Sequence, residues 1–212
     1  MIDYIVNYFT TFDFVKACDI AGFVLGLVYL WLEYKASIWL WLASVVMPIV
    51  HGYTYLARGL YADFGMEFYY VLAAIYGFAV WHWGKSKDKK ERPITHASRS
   101  TMACMVAAVV VLWMGIYVFL LKCTDSTVPG YDAFTTAMSI VALWSLAQKH
   151  VEQWLFWLVV DALCTVLYIY KQIPFSGALY SFYTIMAIAG YYKWKRMAQC
   201  ETSVKRLGQD GQ

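Results

Sequence analysis

Residues 152–170 read EQWLFWLVVDALCTVLYIY, an almost unbroken apolar run after Glu152-Gln153, with one internal acid, Asp161, near its middle. The run does not alternate as a half-buried strand does, and in lipid a stretch of this length satisfies its backbone groups only as a helix. An ionisable side chain at the centre of such a helix costs about 2.5–3.5 kcal/mol on insertion scales, so its presence asks for a reason. Six further stretches of the same kind lie at about 15–34, 38–57, 64–83, 101–121, 132–147 and 177–194. None has the broad charged face of a helix that lies along a membrane surface. The pattern predicts an all-α membrane protein with seven transmembrane helices.

The composition agrees. Of 212 residues, 61% are hydrophobic and 15% are charged, with a mean hydropathy of +0.51; soluble domains run nearer about half apolar and about a quarter charged. Seven spans of roughly 20 residues each leave only short loops and no room for a soluble domain. Residues 1–197 read as one transmembrane domain and 198–212 as a polar, disordered tail. The opening residues lack a basic region, which predicts no cleaved signal peptide. A formal charge of +3 is too small to suggest nucleic acid. Cys18, Cys104, Cys123, Cys164 and Cys200 are scattered without a C-x-x-C pair, so neither a disulfide framework nor a metal site is expected. Of the seventeen Lys and Arg, four (Lys16, Arg58, Lys122 and Lys171) fall on one side of the predicted spans and thirteen on the other, which holds the 85–100 loop and the C-terminus. The positive-inside tendency then places the N-terminus outside and the C-terminus in the cytoplasm, as an odd number of spans requires.

Sliding the sequence on itself by 113 residues aligns Trp31 with Trp144, Trp41 with Trp154 and Trp81 with Trp194. The same shift aligns Tyr55 with Tyr168, Tyr70 with Tyr183, Gly77 with Gly190, and Ala74-Ile75 with Ala187-Ile188. Tryptophan is rare enough for three matches at one offset to carry weight. The first three spans (about 15–84) therefore match the last three (about 132–194), with 101–121 as a linker helix. That is a 3+1+3 parallel repeat. Repeats of this kind place a solute path at their interface near the midplane, which points to transport; a duplication kept only for packing is the alternative.

Polar groups inside the predicted spans narrow the chemistry. Asp19 lies near the end of its span, where it can reach water. His51 is central, beside Pro48 and Gly52; Glu67 lies one turn into its span; Asp161 is far from either surface. Helical spacing puts Glu67, Tyr70, Ala74 and Gly77 on one face, and Trp157, Asp161, Cys164 and Tyr168 on another, with Tyr180 and Tyr183 at the same spacing in the last span. Carboxylates beside aromatic faces suit a flat organic cation, through charge pairing and cation–π contact. The alternative is a hydrogen-bonded pair of buried acids that holds helices together. The depth of Asp161 favours a ligand; Glu67 and His51 fit either reading. Trp81, Trp83, Tyr192 and Trp194 read as interfacial belt residues.

These residues resemble a known family, the bacterial PnuC-type vitamin transporters. The resemblance rests on Trp31-Leu32-Glu33-Tyr34-Lys35, Leu60-Tyr61-Ala62-Asp63 and Tyr76-Gly77 with Trp81 in the first half. In the second half it rests on Asp132-Ala133-Phe134, Ser139-Ile140-Val141-Ala142 and Lys149-His150-Val151-Glu152-Gln153-Trp154-Leu155-Phe156-Trp157. It covers residues of about 15–197. The resemblance implies a seven-helix layout similar to the SWEET proteins, a homotrimer in the bacterial inner membrane, and facilitated diffusion without cofactor or coupling ion. Phosphorylation inside the cell would then trap the vitamin. Two departures bear on the solute. Met66-Glu67 stands where nicotinamide riboside carriers of the family have Leu-Gln, and Asp161 stands where they have Asn. With Trp31–Lys35 and Met47-Pro48, these departures look like the thiamine-carrying PnuT branch. The expectation is thiamine, with nicotinamide riboside as the alternative. The site expected to hold it comprises Glu67, Asp161, Trp41, Trp157, Tyr70, Tyr180, Tyr183 and His51. A seven-helix sensing receptor fits the short loops and the repeat less well. An enzyme using Glu67, His51 and Asp161 lacks a nucleophile or metal-ligand spacing beside them.

Overall fold

The computed structural model describes residues 14–57, 61–84, 92–124, 128–170 and 174–210. Among these, seven helices follow one another: α1 Phe14–Tyr34, α2 Trp39–Ala57, α3 Tyr61–Trp83, α4 Arg99–Cys123, α5 Pro129–Ala147, α6 Gln153–Tyr170 and α7 Pro174–Asp210. Each starts and stops close to the apolar stretch that predicts it, with one exception at the end of α7. The shortest, α6, has 18 residues and spans about 27 Å, close to the roughly 30 Å of a hydrocarbon core. By length and composition alone, one helix among the described residues, Arg99–Cys123, is long and apolar enough to cross a membrane. Phe23–Tyr34, Trp39–Val50 and Gln153–Leu167 are shorter apolar helical stretches among the described residues.

The chain divides into two compact units, residues 1–84 and 85–212. In the first, α2 packs against both α1 and α3. In the second, α6 packs against both α5 and α7, and α4 lies on α5. Met105 and Val109 of α4 meet Ala137, Met138, Val141 and Ala142 of α5 and Phe156 and Val160 of α6 in one buried cluster. Met102, Leu112 and Ile116 pack against this cluster, while other apolar residues of α4 face outward, among them Val111 and Met114, 70% and 64% exposed.

The two helical hairpins at the start of each unit's central helix share one backbone design. After α1, Ser37 N–H donates to Leu32 O and Ala36 N–H to Glu33 O. After α5, His150 N–H donates to Ser145 O and Lys149 N–H to Leu146 O. This is the Schellman closure, which needs a left-handed residue at its turn. Ala36 (φ 52°) and Lys149 (φ 55°) supply it, although neither is glycine, and they are 113 residues apart. The bonds Leu40 N–H to Ser37 O and Trp41 N–H to Ile38 O recur at the same offset as Gln153 N–H to His150 O and Trp154 N–H to Val151 O.

The packing recurs with the backbone. Trp41 and Trp81 meet edge to face at 5.5 Å and 89°, and Trp154 and Trp194 at 5.9 Å and 84°. A glycine opens the notch for each indole: a Cβ on Gly77 would stand 2.1 Å from Trp41, and one on Gly190 2.6 Å from Trp154. These four tryptophans are at most 3% exposed. Trp81 and Trp194 are therefore core residues and not members of an interfacial belt, because each fills the space beside the indole seated over a glycine. Trp83 and Tyr192, 73% and 59% exposed, do lie on the surface. Tyr168's side chain and those of residues 54–57, Tyr55 among them, lie outside the described residues.

Two further features depart from expectation. The chain after Arg196 continues the helix to Asp210. The sequence there has no proline, spaces Glu201 and Lys205 for a helical pair, and buries Ala198 at 4% exposure. Part of the charged 85–100 loop is a docked strap. Thr95 pairs with His150 in a parallel bridge, Thr95 N–H donating to Lys149 O and Val151 N–H to Thr95 O. Glu152 then accepts from Ala97 N–H at 2.8 Å and bonds His96 at 2.7 Å, and Arg92 donates to Gln148.

A buried acid among aromatic rings

Asp161 sits in the third turn of α6, 7% exposed. Its side chain has no hydrogen-bond or ion-pair partner among the described residues, a costly state for a carboxylate in an apolar interior. Tyr183 of α7 and Cys164 of α6 lie within its electrostatic reach. The Trp157 ring, one turn earlier on α6, packs against the apolar cluster of this unit. Its Nε1–H is buried and has no acceptor among the described residues. Tyr180 and Tyr183 meet edge to face at 5.7 Å and 65°. Thr165 and Thr184 spend their hydroxyls on the backbone carbonyls of Asp161 and Tyr180, at 2.8 Å each, and so leave those side chains alone. The second unit thus places a carboxylate and a buried indole N–H one turn apart on α6, with the Tyr183 phenol of α7 within electrostatic reach of the acid.

The first unit carries a smaller version. Glu67, in the second turn of α3, is 8% exposed and, unlike Asp161, is already partnered. Tyr70 lies one turn on, 36% exposed, edge to face with Tyr69 at 5.6 Å. Trp41 is 1% exposed, with Gly77 and Trp81 against its ring, so its faces are committed to packing inside the unit. The side chain of His51 lies outside the described residues, while Pro48 is placed inside α2. Glu33 of the Trp31–Lys35 motif is buried at 2% and bonds Tyr29, and Lys35 lies 4.6 Å over the Trp31 ring. That motif closes the hairpin rather than lining a site.

Helical spacing alone misses two residues of the second unit. Tyr131 and Asp132, in the first turn of α5, stand near enough to Cys164 of α6 to act on its thiol electrostatically. No i to i+4 rule joins them to Asp161, because they belong to the neighbouring helix. Asp132 carries one signal in the sequence, as the first residue of the Asp132-Ala133-Phe134 element; Tyr131 carries none.

With this geometry in hand, comparison with known proteins identifies the lineage. The family model described as nicotinamide mononucleotide transporter matches residues 16–196. The chain is 27% identical over 179 residues to the riboflavin/roseoflavin transporter RibM of Streptomyces davaonensis, covering 83% of each chain. It is 20% identical over 205 residues to the nicotinamide riboside transporter PnuC of Escherichia coli, covering 85% of this chain and 86% of that one. A crystal structure of the vitamin B3 transporter PnuC superposes with a TM-score of 0.70 at 23% identity, over 93% of this chain and 87% of that one, which shows a shared fold. The chain belongs to the nicotinamide mononucleotide transporter family, the PnuC family of membrane transporters.

Proposed function

We propose that the chain carries thiamine across the bacterial inner membrane as a facilitator, with the N-terminus outside and trapping by phosphorylation in the cytoplasm. The observation that carries this reading is Asp161, a carboxylate buried to 7% exposure with no partner among the described residues. A lone acid at bilayer depth persists because a ligand charge compensates it. The thiazolium of thiamine is a fixed cation and its aminopyrimidine adds donors. Aromatic faces close to the acid add about 0.5–2 kcal/mol each by cation–π contact.

In this reading Asp161 and Glu67 receive the charged and amino groups. Trp157, Tyr70 and Tyr183 stack on the rings, Tyr180 and His51 exchange hydrogen bonds with them, and Trp41 supports by packing. The recurrence of hairpin closure, Trp pairs and glycine notches at an offset of 113 supports a 3+1+3 parallel repeat working by alternating access in a homotrimer.

Nicotinamide riboside is the second reading, favoured by the similarity to nicotinamide riboside transporters. It is also a cation, and it carries ribose hydroxyls that amides would suit better than carboxylates. Riboflavin, the solute named for RibM, has a neutral ring system and leaves Asp161 uncompensated. Titration of the purified protein, followed by its tryptophan fluorescence, separates the three. Thiamine binding at least tenfold tighter than the other two is expected, and a tenfold preference for either of the others overturns the assignment.

A further inference from the structure

Asp132 opens the Asp132-Ala133-Phe134 motif of α5 and has no part in the reading above. Helices α5 and α6 run antiparallel from the hairpin at His150. Asp132 lies eighteen residues back from that point, Asp161 eleven forward and Cys164 fourteen forward. At about 1.5 Å per residue, Asp132 and Asp161 stand about 10 Å apart along the helix axes, with Cys164 at a level between them. The side chains agree with this ladder: Cys164 is half-buried, and both carboxylates lie within electrostatic reach of it. The lower rung, Asp161, is nine-tenths buried and unpartnered among the described residues.

We propose that Asp132 is a second carboxylate of the solute path, two helical turns from Asp161 toward the end of the bundle opposite the 148–152 hairpin, and that it receives a cationic solute before Asp161 does. This rests on the transport reading but not on the identity of the vitamin. A cleft lined by one sign of charge raises the local concentration of counter-ions by an order of magnitude or more. Asp132 sets that selection where the solute enters. The competing role for Asp132, an acid placed in the first turn to favour the positive end of α5, predicts an effect on stability alone.

Cys164 is a native reporter between the two acids. With Cys18, Cys104, Cys123 and Cys200 replaced by serine, Cys164 is the only thiol, and its labelling by a cationic and an anionic methanethiosulfonate reagent can be timed in proteoliposomes. The expected result is a preference for the cationic reagent on the order of tenfold. Asp132→Asn reduces it severalfold and Asp132→Glu retains it; Asp132→Ser, small and suited to a helix start, serves where Asn disturbs folding. An unchanged preference in Asp132→Asn or Asp132→Ser, with or without a lower melting temperature, overturns the proposal. Failure of both reagents to label Cys164 in the folded protein overturns it too. The two readings can fail separately. If the preference depends on Asp132 but thiamine neither slows labelling nor is taken up, the ladder stands and thiamine falls. If thiamine uptake needs Asp161 while labelling ignores Asp132, only the ladder falls.

Discussion

Replacing Gly190 by alanine tests the packing on which each unit is built. In an exposed helix the change stabilises by about 0.5–1 kcal/mol, because glycine loses more backbone freedom on folding. At Gly190 the new Cβ would stand 2.6 Å from three atoms of the Trp154 indole, against about 3.5–4.0 Å for an ordinary carbon contact. The ring must retreat by about 1 Å. It is 1% exposed and has Trp194 at its side, so it has nowhere to go without displacing a second indole. Overpacking of this kind costs about 1–3 kcal/mol. Gly115 of α4 is the internal control, since a Cβ there meets nothing within 4 Å. Both variants gain the same propensity term, so the difference between them isolates the overpacking. Thermal unfolding in detergent, followed by tryptophan fluorescence, should place Gly190→Ala below Gly115→Ala by about 2–4 °C for each kcal/mol. Trp154→Phe in the Gly190→Ala background should recover part of the loss. Gly190→Ala melting with or above Gly115→Ala refutes the reasoning.

Gln153 is 0% exposed, and neither its amide oxygen nor its nitrogen has a partner among the described residues. Leu40 holds the corresponding position in the first unit, so Gln153→Leu should raise the melting temperature by the relief of about 1–3 kcal/mol of unpaired burial; a fall would show the amide to be engaged. His150, outside the spans, is held below the ordinary histidine value by burial, which outweighs the opposing pull of Glu152. Its neutral form is therefore favoured in the fold. The stability it contributes is present above about pH 6.5 and is lost as the pH falls below that value, where the unfolded chain binds the proton first. Melting curves from pH 8 to pH 5 should fall less steeply for His150→Asn than for the native chain, and parallel curves would contradict this.

Much of the architecture is legible in the residues. Apolar runs broken by single acids mark the helices to within a few positions, and glycine and tryptophan at one offset mark the matching notches. Trp81 and Trp194 are misread as belt residues because an indole suits both a membrane interface and a glycine notch, and only the neighbouring helix decides. The strap at 92–98 is invisible for a similar reason. Its charges read as a solvated loop until Glu152 is seen to accept from Ala97 N–H. In the candidate site, Trp157, Asp161, Cys164, Tyr180 and Tyr183 follow from helical spacing, because each group lies on a single helix. Tyr131 and Asp132 do not, since their relation to Cys164 arises from the packing of α5 on α6.

Uptake of labelled thiamine into proteoliposomes that contain only this protein, native or Asp161→Asn, addresses the solute and the acid together. A hydrogen bond to a charged group contributes about 1.5–3 kcal/mol, so loss of the carboxylate should raise the half-saturating thiamine concentration by at least about tenfold while the variant stays folded. Saturable uptake by the native protein with that shift in the variant is the predicted result. Uptake no greater than that of empty liposomes, or saturable uptake that Asp161→Asn leaves unchanged, contradicts the account.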